Sequence, residues 1–176
     1  MVIPLSTYCT FFDPRTRPGS FTSASPAHLA ACAWATGFFI YDTALCLRYF
    51  SVFGFEFLLH AVFCLATYGG CLAAPGGYTM GWYSAGPLLF ELSTPFMHLR
   101  WWMIQTGNGD KPLFNVFQQL FGYSFLASRK VFGSCYLFPQ LIYHLCTKMG
   151  QTMPTALRLL FLCNALISIG LNSYWA

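Results

Sequence analysis

The chain has 176 residues, of which 56% are hydrophobic, 19% aromatic and only 8% charged, with a mean hydropathy of +0.53. A soluble domain carries roughly 25% charged residues, so this composition excludes an ordinary water-soluble enzyme and describes a one-domain polytopic membrane protein. The formal net charge of +4 comes from scattered basic residues rather than a run, which offers neither a nucleic-acid surface nor a polybasic lipid-binding tract.

Residues 1–27 read as an irregular N-terminal arm outside the bilayer, because Pro4, Pro14, Pro18, Pro26 and Gly19 break helices and Asp13, Arg15 and Arg17 keep the stretch polar. It lacks the basic-then-apolar order of a secretory signal, and its prolines break up the arginine- and serine-bearing pattern of a transit peptide, which leaves targeting open. Residues 28–176 then form the transmembrane domain. A first span is predicted from His28 to Tyr49, where Ala30, Ala33 and Gly37 permit close helix contact in lipid. A second runs from Phe55 to Ala73 and ends at the turn Ala74-Pro-Gly-Gly-Tyr78. The third, Gly81 to Ile104, is followed by the polar loop from Gln105 to Pro112. At about 1.5 Å per residue it crosses a hydrocarbon core of about 30 Å and leaves Glu91 near mid-bilayer. From Leu113 to Cys146 the apolar run is interrupted by Arg129-Lys130 and Gly133. One crossing that carries Arg129 deep, continued by a helix along the interface or the bundle, is expected there; two shorter pieces are the alternative. A final span runs from Thr155 to Tyr174. The expected fold is therefore all-α, a polytopic transmembrane helical bundle of about five spans, with about six as the alternative. Arg15, Arg17 and Lys148 fall on one side of the five-span arrangement and Arg48 and Lys111 on the other, so basic residues set no orientation.

Eight cysteines sit mostly in or beside apolar segments with no Cys-x-x-Cys pair, and read as small packing hydrophobes rather than disulfides or a zinc site. On the second span Glu56, His60, Cys64 and Thr67 recur at i, i+4, i+8 and i+11, a polar stripe on one helical face. Imidazole moves protons near neutral pH, so His60 is either a general base or relay, or a packed residue bonded to a neighbouring helix. On the third span Glu91, Thr94, Pro95 and His98 share a face, and Pro95 frees a backbone carbonyl near Glu91. This is either a packed kink or a polar pocket. Asp42, Glu91, Arg100 and Arg129 are the charges expected in or near the membrane, where charge is costly and so is paired or functional. Arg129 is the favoured partner for Glu91, while Arg100 can instead snorkel to the interface beside Trp101 and Trp102. No metal is expected, because His60, Cys64, Glu91 and His98 lack a paired short spacing. No phosphate loop, nucleophile elbow or other common cofactor motif occurs, so no cofactor is expected.

Gly37-Phe-Phe-Ile-Tyr-Asp42, the single His60, Glu91-Leu-Ser-Thr-Pro-Phe96, Leu99-Arg-Trp101, Asn115 and Phe125-Leu-Ala-Ser-Arg129 resemble, in order and spacing, the TLC-domain family. That family contains the ceramide synthases, the translocating-chain-associated membrane protein and smaller lipid-regulating proteins; the likeness runs from His28 to Trp175 and is nearest the smaller members. The resemblance implies a helical bundle that holds a long apolar lipid chain, with polar groups at depth, and the endoplasmic reticulum as compartment. The sequence itself leaves an organellar inner membrane open. In ceramide synthases adjacent histidines at the position of His60 carry acyl transfer; here the pair is broken at Leu59-His60-Ala61. The spans that usually precede the Gly37 region are replaced by the arm, which would expose a helix face for a partner protein. The expected function is therefore a non-catalytic membrane protein that binds or organises lipid, or serves as accessory subunit of a membrane complex. A ceramide-synthase-like N-acyltransferase using acyl-coenzyme A, with His60 as general base, is the alternative.

Overall fold

The structure is a computed structural model and describes residues 2–174; Met1, Trp175 and Ala176, the outer ends of the expected arm and domain, lie outside the described residues. Among the described residues three helices are long and apolar enough to cross a membrane: α2 (Pro26–Arg48), α3 (Phe50–Ala73) and α9 (Thr155–Tyr174). They coincide with the first, second and final spans read from the sequence. Around them are α1 (Val2–Phe11), α4 (Gly81–Ala85), α5 (Thr94–Gln105), α6 (Pro112–Phe125), α7 (Phe138–Cys146) and the single turn α8 (Lys148–Gln151).

The expectation of five or six spans is overturned, since three helices meet the length and hydropathy of a crossing among the described residues. The expected third span divides into α4, a 3₁₀ segment Gly86–Ser93 and α5. Pro87 and Pro95 each stand in the first turn of their segment, where the missing N–H interrupts the α ladder and makes a new start cheaper than continuation. The expected fourth divides into α6, a π segment Leu126–Leu137 and α7, with Pro139 opening α7. The arm is not irregular throughout either. Pro4 falls in the first turn of α1, where backbone N–H groups have no intrahelical acceptor to lose.

Local signals explain the long helices. Ser25 caps α2 by accepting the His28 N–H at 3.1 Å, and Pro26 occupies the first turn. Tyr49 separates α2 from α3, and Gly54 at φ 78 interrupts the start of α3, so its regular part begins near Phe55. Ala74, in the left-handed region at φ 41, ends the helix, with its N–H on the Gly70 carbonyl.

The core lies between α2, α3, α4, α7 and α9. Ala31, Ala35 and Phe39 of α2 meet Cys64, Tyr68 and Cys71 of α3, and Leu157, Phe161 and Ala165 of α9 close the other side. All five residues of α4 are buried. Across it run the end of α1 and the segment that follows: the Trp82 indole N–H donates to the Thr10 carbonyl, the Gly19 N–H to the Tyr83 hydroxyl and the Met80 N–H to the Phe21 carbonyl. Outward faces remain aromatic, as at Phe38, Trp101, Trp102 and Tyr123, which suits a surface solvated by lipid rather than water.

Candidate functional site

A cavity of about 330 Å³ opens between α1, α2 and the junction of the 3₁₀ segment with α5. Its wall is apolar where Val2, Trp34, Phe38, Phe39 and Leu88 face it, and polar where Glu91 and Thr94 do. Helical spacing builds the polar end: Thr94 lies three residues beyond Glu91, and its hydroxyl donates to Glu91 Oε2 at 2.8 Å. Pro95 completes that wall, so its interruption of the backbone stands beside the carboxylate as the sequence implies. Of the face Glu91, Thr94, Pro95 and His98, the first three line the cavity, while His98 is exposed.

Behind this wall titratable side chains of four elements are linked electrostatically through Glu91 and through Arg129 of the π segment: Asp42 of α2 and Cys64 of α3 to Glu91, and His60 and Cys64 of α3 to Arg129. His60 lies 3.8 Å from the Cys64 thiol and edge-on to Phe39, with ring centroids 5.9 Å apart. The expected ion pair between Glu91 and Arg129 does not form, because the one salt bridge within 4.0 Å among the described residues joins Arg15 and Asp13. Arg129 instead sets its guanidinium over two rings, 5.7 Å from the Phe90 centroid and 5.3 Å from that of Phe125. Its Nε is buried without a hydrogen-bond acceptor. The aromatic faces stabilise the cation where a carboxylate was expected to.

The close approach that creates this nest depends on glycine. A Cβ at Gly133 would stand 2.5 Å from Phe90 Cζ, and one at Gly86 would stand 2.5 Å from Leu137 Cδ1. The 3₁₀ and π segments therefore pack backbone to side chain at these two points. A π helix widens the turn and is common at functional sites; here it is the element that carries Arg129.

The remaining expected site residues lie elsewhere. Glu56 is exposed beside the Gly54 interruption, so the α3 stripe turns inward from His60, and Cys64 and Thr67 are buried. Arg100 Nε donates to Gln118 Oε1 and its guanidinium lies 5.9 Å from the Phe114 centroid, which ties α5 to α6 rather than reaching the cavity. Among the described residues no three His, Cys, Asp or Glu side chains are placed to hold a metal.

Sequence reasoning missed a second buried polar cluster. His28, fully buried, places Nε2 at 2.7 Å from Ser84 Oγ and 3.2 Å from Cys32 Sγ. The i, i+4 spacing of His28 and Cys32 was the available signal.

Comparison with known proteins gives a family. The family model of the TLC domain matches residues 1–176. The chain is also 31% identical over 77 residues to topoisomerase I damage affected protein 4 of Saccharomyces cerevisiae, a stretch that covers 44% of this chain and 26% of that protein. The chain thus spans about a quarter of that relative's length. No solved structure matches.

Proposed function

The chain belongs to the TLC-domain family and is an integral membrane protein with apolar spanning helices, and from this premise we propose that it binds lipid without catalysing its conversion. The observation that carries the reading is the cavity whose wall passes from Trp34, Phe38 and Phe39 to the Glu91 carboxylate and Thr94 hydroxyl. An apolar trough with a few polar groups at one end suits a molecule with a hydrocarbon tail and a hydrogen-bonding head. Lipid binding rather than acyl transfer is favoured because His60, the base that the family likeness implies for acyl transfer, is not among the residues that line this cavity. Its neighbour at 59 is leucine. With the lipid role we propose service as a packing subunit of a larger membrane assembly, in the endoplasmic reticulum that the family likeness suggests.

The test is native mass spectrometry of the chain purified in mild detergent, with the retained lipids identified. Wild type should carry lipid, and Val2→Trp, which fills the trough from its half-buried α1 wall, should elute normally but lose it. Retention of the same lipid by that variant would sink the reading. Acyl transfer from an acyl-coenzyme A by the purified chain, abolished by His60→Ala, would replace it with the acyltransferase reading.

A further inference from the structure

One wall of the lipid cavity is not made by a spanning helix. Val2 and Ile3, in the first turn of α1, line it together with Trp34 and Phe39 of α2 and Leu88 and Glu91 of the 3₁₀ segment. α1 is apolar but has only 10 residues, about 15 Å of helix, half of a hydrocarbon core of about 30 Å. It is held by contacts along the bundle rather than by crossing the bilayer.

Those contacts are unequal along its length. In the last turn the Trp82 indole N–H donates to the Thr10 carbonyl at 3.0 Å, the Thr16 hydroxyl donates to the Cys9 carbonyl, and the Phe11 ring meets Phe132 with centroids 5.9 Å apart. At the cavity end Val2, Ile3 and Leu5 are half-buried, and the hydroxyls of Ser6 and Thr7 are spent inside the helix on the Ile3 carbonyl. The residues that α1 buries fully, Ser6, Cys9 and Thr10, are short and partly polar, and Thr10 Oγ1 is buried without a hydrogen-bond partner, which costs free energy in the seated helix. The bulk lies on the other side. Tyr8, Phe11 and the following Phe12 are exposed, so lipid solvates that face whether or not α1 is seated.

On the basis of the lipid reading, we propose that α1 is the lid of this cavity. It pivots on its last turn, where Thr10 meets Trp82, so that Val2 and Ile3 swing away from Trp34 and Leu88 and a lipid passes sideways between the trough and the bilayer. Lipid in the trough touches Val2 and Ile3 only when α1 is seated, so bound lipid favours the closed lid and an empty trough favours the open one. The strap beyond the pivot, with the Gly19 N–H on the Tyr83 hydroxyl and the Phe21 carbonyl on the Met80 N–H, stays in place and limits the swing. Leu5, packed against the core and outside the cavity lining, sets how firmly the lid closes.

The experiment is hydrogen–deuterium exchange of the full chain in mild detergent, as purified with its co-purified lipid and again after detergent washing has stripped that lipid, with occupancy read by native mass spectrometry. In the stripped protein the amides of residues 6–11 should exchange as one unit, roughly tenfold or more faster than those of α2 and α3. With lipid bound they should slow by a similar factor, while α2 and α3 change less. Leu5→Ala should speed both α1 exchange and lipid loss on dilution roughly threefold or more, and still carry the same lipid at saturation. The two wild-type samples decide the question if that variant fails to elute as a single species. Retained lipid with α1 exchanging as slowly as α2 and α3, or equally fast with and without lipid, would overturn the lid and leave the lipid reading standing. Unchanged lipid loss in a folded Leu5→Ala would do the same, whereas absence of any retained lipid would overturn the lipid reading and the lid with it.

Discussion

Phe90 rests in the notch left by Gly133, so near that a Cβ there would stand 2.5 Å from the ring's Cζ. The same ring forms one of the two faces under the Arg129 guanidinium. Gly133 thus governs, through Phe90, how a cation is held in an apolar setting.

Gly133→Ala should accordingly destabilise the protein by about 1 to 3 kcal/mol, the range for overpacking a well-filled site. Thermal unfolding in detergent would measure it. Pairing the change with Phe90→Leu should recover part of the loss, since the shorter side chain vacates the notch; simple additivity would show that the two residues do not share it.

Arg129 should couple more strongly to its rings than to Glu91. A double-mutant cycle of Arg129→Met with Phe125→Leu is expected to give about 1 to 2 kcal/mol, as for a desolvated cation over an aromatic face. The cycle with Glu91→Gln should give less, because no ion pair within 4.0 Å joins them. A larger coupling to Glu91 would restore the salt bridge read from the sequence.

Acid should loosen the N-terminal segment. The Asp13 carboxyl is held down at about 2 from its ordinary 3.8, first by the hydrogen bond from Ser25, with burial acting in the opposite direction and Arg15 adding to the lowering. A depressed carboxylate contributes stability that is fully present above 3.8 and is lost as pH falls through about 2. Fluorescence of buried Trp82, whose indole holds the Thr10 carbonyl, should change across that window. Asp13→Asn should be weaker at neutral pH and show a smaller acid step, and an identical acid profile in the variant would exclude Asp13 as its source.

Glycines should separate into two classes on replacement by alanine. A Cβ at Gly81 would collide with the Ser23 carbonyl oxygen, whereas at Gly122 and Gly170 nothing lies within 4 Å. Gly81→Ala should detach the segment from α4 and lower the unfolding temperature. Gly122→Ala and Gly170→Ala should be neutral or stabilising by up to about 1 kcal/mol from helix propensity. Equal effects at the three sites would argue against the segment being seated on Gly81.

The three long spans were legible because length and continuous apolarity suffice to identify them, and the Gly54 and Ala74 boundaries fall where the second was expected to begin and end. The grouping of Glu91, Thr94 and Pro95 was legible too, since i, i+3 and i+4 share a face in any helix of ordinary pitch. What was not legible depends on contacts far apart in the chain. The π segment Leu126–Leu137 packs Gly133 against Phe90 and Leu137 against Gly86, and no local pattern records contacts of that range. The partner of Arg129 was misjudged because opposite charge was weighed and aromatic faces were not. Pro4 was read as a breaker when its position in the first turn made it harmless. The cysteines were read mostly as filler, which concealed that Cys32, like Cys64, has a histidine one turn before it.

The strap across α4 also bears on the order of events during synthesis. Thr10 and Gly19 must wait for Trp82 and Tyr83, residues 72 and 64 positions later, before their hydrogen bonds can close. The segment therefore leaves the ribosome well ahead of the surface that receives it, and α2 and α3 are complete first. Contacts of such long range form slowly. Until α4 arrives, Cys9 and Phe21, buried in the finished protein, are open to whatever meets the nascent chain.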